Sequence, residues 1–402
     1  MTAPPALRRA HRATLLAFFV FGIIMAAFGV HVPSLRAQYR LDDGTLAFAL
    51  LGVAIGAVLC LALAGRLIAA FGARLVAAVS AVVLCTALAL LLRFEQPAAL
   101  AVLVVTLGAA VGLFDVAINT EGSFLEHALQ RKAMSVLHGM WSLGGMAGAL
   151  GGAWMTERGI APATQLAWVA GVTLVLALMA SAGMLSTHAN EGETSDRHAA
   201  RRMTPPARRR LVALGVLALL GLLGEGAIYD WSVLFLQRER GAGESLAAIG
   251  FACFSAAMAA GRFGGDWMRA RVAAPRLLAA SAALSAVAMA VVLLTPSVTV
   301  ALIGLAFVGF GLANVVPILF VTASRIEGAS PAAGIALVSS FGWIGVVAGP
   351  PLVGGVAQAL SLSAGLALVV LAGAALAASA RLVASDDVAT RKVHGSAEES
   401  SR

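Results

Sequence analysis

ATLLAFFVFGIIMAAFGVHVPSL, residues 13–35, runs for 23 positions without a formal charge. A helix needs about 20 predominantly apolar residues to cross the hydrocarbon core of a bilayer, whereas the apolar core of a signal peptide is only about 7–15 long. The stretch follows Arg8, Arg9 and Arg12, as a leader's core would. It is too long for one, and similar stretches follow it. We read it as an uncleaved first span.

The same ruler places further spans near 45–70, 74–92, 98–122, 134–156 and 162–186, and then near 210–236, 245–268, 275–294, 298–323, 332–357 and 361–381. The tightest turns fall at Thr295-Pro296-Ser297 and between Gln358 and Ser363. The composition agrees: 60% of residues are hydrophobic and 12% charged, too apolar for a water-facing fold. The expected fold is therefore an all-α membrane protein with twelve transmembrane helices in two pseudo-symmetric six-helix bundles. Cys60, Cys85 and Cys253 lie far apart inside apolar runs, which argues against a disulfide framework or a zinc site. No metal or cofactor is expected.

The long hydrophilic stretch inside the chain is Thr187–Arg210, rich in Glu, Arg and Pro, and it reads as a cytoplasmic linker. The expected layout is a first bundle at 1–186, the linker at 187–210, a second bundle at 211–384 and a cytoplasmic tail at 385–402. With both termini cytoplasmic, 22 Lys and Arg fall on the cytoplasmic side and 6 on the other. That bias fits the positive-inside rule and an even number of spans. The net charge of +8 is scattered between apolar runs, so it marks cytoplasmic loops and no nucleic-acid surface.

The halves repeat weakly. Ala64-Gly65-Arg66 parallels Ala260-Gly261-Arg262, Gly112-Leu113-Phe114-Asp115 parallels Gly311-Leu312-Ala313-Asn314, and Gly144 and Gly148 parallel Gly345 and Gly349, at offsets of about 196 to 201. Ordered matches of this kind fit two halves related by an axis along the membrane normal. Here the chain resembles the major facilitator superfamily over essentially its whole length. The superfamily's loop between helices 2 and 3 reads GRLIAAFGAR, keeping Gly65, Gly72 and Arg74 but with Ala69 and Ala70 in place of its Asp and Arg. The corresponding GRFGGDWMRAR keeps Gly261 and an acid, Asp266, one place late. FDVAINTEGSFLEHALQRKAMSVLHGMWSLGGMAGALGG and GEGAIYDWSVLFLQ resemble the fucose-permease-like branch of bacterial inner-membrane carriers. The resemblance implies a multi-pass inner-membrane protein, gating residues at Gly65, Arg66, Arg74, Arg262 and Asp266, and a monomer that meets only lipid, a small solute and protons.

An ionisable side chain at membrane depth carries an insertion cost of roughly 2.5–3.5 kcal/mol, so each one calls for a partner, a wet cavity or a role. Gly108, Gly112, Asp115, Asn119 and Gly122 share one face of the fourth span. Asp115 is a candidate proton carrier there, and Glu121 reads as a solvated boundary residue. Glu225 lies near the middle of the seventh span, on one face with Tyr229. Asp230 points about 140° away and reads as an outer charge beside Trp231 in the aromatic belt. His138 heads a Ser and Gly stripe in the fifth span and can titrate near neutral pH. Gly144, Gly148 and Gly152 read as a close-packing row. The proton-coupling set is thus Asp115, Glu225 and His138. Asn119, Trp141, Tyr229, Asn314 and Trp343 are the candidates for binding a sugar-like or small polar solute, and His31 lies near the outer end of the first span.

No phosphate loop or catalytic cluster is present, so the chain is not expected to be an enzyme or to be driven by ATP. The expected activity is proton-coupled uptake by alternating access, a symporter. The alternatives are proton-driven export of drugs or metabolites and, from another class, a non-transporting membrane sensor.

Overall fold

The computed structural model describes residues 4–129, 133–185 and 203–384. The expected tail 385–402 and most of the expected linker, together with Arg131 and Lys132, lie outside these residues. Pro205–Arg210, placed in the linker by composition, are instead the first turns of a helix.

Among the described residues, thirteen α-helices make twelve spans. Span 1 is α1 (Pro5–Val30) with α2 (Val32–Gln38), joined at a bend on His31, whose Nδ1 lies 2.8 Å from the Ala27 carbonyl. Pro33, just past this bend, has no N–H to continue the ladder. Spans 2 and 3 form α3 (Asp43–Leu90), broken at Gly72, where φ is 79°. That backbone suits glycine and puts the turn at the expected place. Spans 4–6 are α4 (Pro97–Leu129), α5 (Met134–Glu157) and α6 (Pro162–Gly183).

Spans 7–9 are α7 (Pro205–Arg240), α8 (Glu244–Arg271) and α9 (Ala274–Leu294). Span 10 is divided at Asn314 into α10 (Val298–Leu312) and α11 (Val315–Ala323). Spans 11 and 12 are α12 (Pro331–Ala359) and α13 (Leu362–Ala378). The two tight turns are made by Ser297 and Ser361, whose hydroxyls cap α10 and α13 by accepting from Val300 and Ala364 N–H groups.

Ten stretches in the described residues are long and apolar enough to cross a membrane. α5 and α13 complete the twelve. α5 is diluted by six glycines, and α13 is 17 residues long. On α6 the exposed residues Trp168, Val172, Val175 and Met179 form one stripe at helical spacing, as a lipid-facing wall requires.

Close backbone contacts show the repeat directly. A Cβ on Gly144 would lie 1.9 Å from the Phe19 carbonyl oxygen, and one on Gly345 would lie 2.3 Å from that of Leu219. Gly108 meets the Val53 carbonyl in the same way, and Gly309 that of Phe254. Spans 1 and 5 thus pair as spans 7 and 11 do, and spans 2 and 4 as spans 8 and 10 do. These contacts fix the offset at 200–201 residues. The Gly144/Gly345 match is in this register. The other two sequence matches are out of register, by five and two positions. Position 262 corresponds to Leu61, not Arg66, and position 115 to Val316, not Asn314. GRFGGDWMRAR is no loop either: it stays helical to Arg271. Arg262, counted among the cytoplasmic charges, sits about 13 Å inside that helix end.

Candidate functional site: a charge pair between the halves

The two six-span halves meet chiefly through spans 5 and 8 and through spans 2 and 11. The glycines of α5 serve both its neighbours. Gly144 and Gly148 admit span 1, while Gly139 lies against Phe263 and Gly145 against Ser255 of span 8. Small residues bring the backbones close enough for side chains of one half to reach the other.

Arg262 does so. Its Nη2 donates to Glu225 Oε1 at 2.8 Å, within the second half. Its Nη1 donates to Ser142 Oγ at 2.7 Å and approaches the His138 carbonyl at 3.5 Å, both in the first half. The guanidinium lies 5.4 Å from the Trp141 ring centroid. Trp141 in turn meets Tyr229 edge to face at 5.2 Å, again across the halves. Tyr229 is held by Phe251 and Phe254 and donates its O–H to Met258 Sδ at 3.6 Å. Both charged side chains are nearly buried, at 11% and 8% exposure. A pair at this depth is tolerated because each charge has the other, and Arg262 has the Ser142 hydroxyl besides.

The other expected residues fall around this centre unequally. Asp115 is half-buried and accepts from Asn119 Nδ2 at 2.9 Å. No cation lies within salt-bridge distance of it among the described residues. His138 sets its ring edge to face against Phe18 at 5.3 Å, and its imidazole has no hydrogen-bond partner among those residues. Trp343 is half-buried on span 11, outside the Arg262 cluster. Asn314 differs from expectation. It is buried, and its amide is engaged structurally: Nδ2 donates to the Gly261 carbonyl and Oδ1 accepts from Arg269, bridging the break in span 10 to span 8.

Two acids are also placed differently from the sequence reading. Glu121 is fully buried, and its Oε1 accepts from the Leu185 N–H at 2.9 Å, tying off the end of α6. Trp231 is no belt residue. It is wholly buried, with its ring against Gly354 of span 11, and Asp230 beside it is half-buried. Sequence reasoning also missed two carboxylates that cap helix starts. Glu126 accepts from the Ala133 and Met134 N–H groups, and Glu239 from those of Leu362 and Ser363. For Glu126 an acid just before a short turn and a helix start was the available signal, whereas the helix that Glu239 caps begins 123 residues later, beyond any local pattern. Among the described residues, these assignments leave Asp115, Glu225 and Asp230 as the acids more than about two turns inside a span with no backbone-capping duty.

The expected gating residues separate as well. Gly65 is half-buried, Arg66 and Arg74 are exposed, and Asp266 pairs with Arg269. Arg269 also reaches Ser135 of span 5 at 3.3 Å, a bond between the halves on the face where the described residues begin at Pro4 and end at Ala384, the chain-end face. The opposite face is tied more extensively. Gly44 N–H donates to Gln358 across spans 2 and 11, and Ser245 Oγ to Glu157 across spans 8 and 5. These two bonds are related by the same offset of 201. Arg238 of span 7 adds an ion pair to Asp43 of span 2, which Arg36 joins at 3.4 Å. This face is bonded shut, while the bonds described on the chain-end face stay within the span 5 and span 8 pair.

Twelve spans in two halves, meeting at a buried charge pair, define a two-domain membrane carrier. The chain belongs to the Major Facilitator Superfamily, whose family description matches residues 14–332. It is 35% identical over 372 residues to an uncharacterized MFS-type transporter of Yersinia pestis, covering 92% of this chain and 95% of that one. It is 31% identical over 369 residues to the membrane protein MosC of Rhizobium meliloti, covering 91% and 88%. In fold it matches the nucleoside transporter NupG (D323A mutant) with a TM-score of 0.72 at 14% identity, covering 94% of this chain and 98% of that one. It matches the E. coli fucose:proton symporter with a TM-score of 0.63 at 14% identity, covering 93% and 98%. The chain is thus a multi-pass membrane protein of a transporter family and not an enzyme. The sensor alternative finds no support in these relatives.

Proposed function

We propose that this protein carries a small polar solute across the bacterial inner membrane by alternating access, with protons driving uptake. The observation that carries the proposal is Arg262, inside the membrane, bonded at once to Glu225 of its own half and Ser142 of the other. A proton or solute that disturbs this pair alters a contact between the halves, and only such differential binding can shift one state against another. In this reading residues 1–186 and 211–384 rock about the pair, joined through 187–210. Each chain holds a whole site and works as a monomer. With both termini cytoplasmic, as the Lys and Arg bias supports, the bonded face is periplasmic and the conformation opens inward.

Asp115 and Glu225 are the proton-binding groups. Asp115 has an amide as its side-chain partner, so a proton removes an uncompensated charge. Glu225 exchanges a proton against its pairing with Arg262. His138, whose carbonyl and neighbour Ser142 both face Arg262, completes the titratable set. Trp141, Tyr229 and Asn119 line the solute side, and Trp343 of span 11 contributes from outside the Arg262 cluster. Gly65, Arg66, Arg74 and Asp266 act at the inner gate.

The test is solute flux in proteoliposomes under an imposed pH gradient, with labelled sugars, nucleosides and organic acids. An acid exterior drives accumulation by the wild type, and Asp115→Asn and Glu225→Gln each lower it at least about tenfold. Undiminished gradient-driven flux in both variants would show that neither acid carries the proton. Flux in the outward direction alone would make the protein an exporter.

A further inference from the structure

We propose that the solute carries a carboxylate or equivalent small anionic group, which binds Arg262 in place of Glu225. This names the cargo class of the transporter read above and rests on that reading. The first argument is a surplus of donors. Arg262 touches Glu225 through one nitrogen and one oxygen, not through the two-point fork that guanidinium and carboxylate form when fully matched. The Trp141 Nε1–H beneath it is shielded from solvent and has no acceptor among the described residues. The Tyr229 O–H has a thioether sulfur, a weak acceptor. A neutral polyol brings donors and acceptors together, whereas a carboxylate brings acceptors alone and matches this ring.

The second argument is charge. Glu225 and Arg262 sum to zero. An anion entering beside an ionised Glu225 leaves one uncompensated negative charge at membrane depth. If Glu225 takes one proton, its bond to Arg262 is replaced by that of the incoming carboxylate, and the site is neutral again. One proton then accompanies one anionic group. The titratable and charged groups facing Glu225 support this count. They are Arg262 of span 8, Tyr229 on its own helix and, beyond Arg262, His138 of span 5; Asp230 projects from another side of span 7. The helices of spans 10, 11 and 12 contain no ionisable residue, and span 1 has its ionisable residues near its two ends.

The experiment is thermal unfolding of the full-length protein with gluconate, glucuronate, lactate and succinate, set against glucose and glycerol, at acidic and at neutral pH. At least one carboxylate is expected to stabilise the wild type, more strongly at acidic pH. Glu225→Gln should bind the same carboxylate at neutral pH about tenfold more tightly, and without pH dependence, because its competent state is always populated. Combining Arg262→Met with Glu225→Gln leaves no unpaired charge, so the protein stays folded, and the carboxylate response should vanish. Absence of any carboxylate response in the wild type overturns the proposal, as does its survival in the double variant. A neutral sugar driven by a pH gradient, with no carboxylate response, overturns the anion assignment and leaves the transporter reading standing. Proteoliposomes that move no solute of either kind overturn that reading itself.

Discussion

The two halves share a scaffold and differ in chemistry. Gly108 and Gly309 open the same helix crossing, and so do Gly144 and Gly345. Yet Arg262 corresponds to Leu61, Glu225 to Met25 and Asp115 to Val316. Backbone approach is constrained wherever two helices cross, so the glycines recur. A charge inside a membrane is costly, and a single cavity needs only one set. The repeat therefore carries the architecture, and the departures from it mark the site.

The sharpest way to break this comparison is to remove the unrepeated cation. Arg262→Met leaves Glu225 buried without its partner and should destabilise the protein by about 3–5 kcal/mol. Arg66→Met, on the exposed end of span 2, should change stability by less than about 0.5 kcal/mol. Thermal unfolding in detergent reads both, and adding Glu225→Gln to Arg262→Met should restore most of the loss.

Next in size is the shared scaffold. Gly108→Ala and Gly309→Ala each push a methyl group into a carbonyl on the facing helix. Each should cost about 1–3 kcal/mol, and the two should agree within experimental error. Clearly unequal costs would show that the halves are packed by different rules.

The latch on the face away from the chain ends should give a smaller effect. Asp43→Asn removes the charge that Arg238 and Arg36 share and should shift the open-to-closed balance by about 1 kcal/mol, roughly fivefold. Thiol labelling of a cysteine placed at Gly44 would rise accordingly, with little change in unfolding temperature.

The smallest effect concerns helix starts. Asp42 caps span 2 by accepting from the Thr45 N–H and hydroxyl at 2.7 Å, whereas Gly243 at the equivalent start of span 8 offers no side chain. The Thr45 bonds hold the Asp42 carboxyl below its ordinary range. Its contribution is therefore present above the unfolded pKa and is lost as pH falls through the lower folded one. Hydrogen-exchange protection at the first turn of span 2, measured against the intrinsic amide rate at each pH, should fall at acid pH, and that of span 8 should not. Asp42→Ala should abolish the difference.

Much of this fold is legible in the sequence because apolar run length reports directly on the bilayer. The Gly72 turn and the turns at Ser297 and Ser361 were readable from local chemistry alone. The site was legible only in part. Asp115, Glu225 and His138 stood out as ionisable groups inside apolar runs, and Glu225 with Tyr229 by spacing. Arg262 did not, because a cation near a helix end looks the same as a boundary residue until the helix is seen to continue to Arg271. Its match to Arg66 was a coincidence of an Ala- and Gly-rich chain, five positions off the register set by the glycine contacts. Partners such as Ser142 and Arg262 lie 120 residues apart, so no local pattern links them. Glu121 was misplaced for a related reason: the Leu185 N–H that buries it arrives from another span.

The central claim is that Glu225 couples proton movement to motion of the two halves through Arg262. Its most direct test is proton movement accompanying solute entry, read by a pH-sensitive dye inside proteoliposomes, with the carboxylate that most stabilises the wild type. Wild-type protein should acidify the lumen as solute enters. Glu225→Gln should still exchange labelled for unlabelled solute while moving no protons with it. Lumenal acidification by Glu225→Gln equal to that of the wild type would contradict the account.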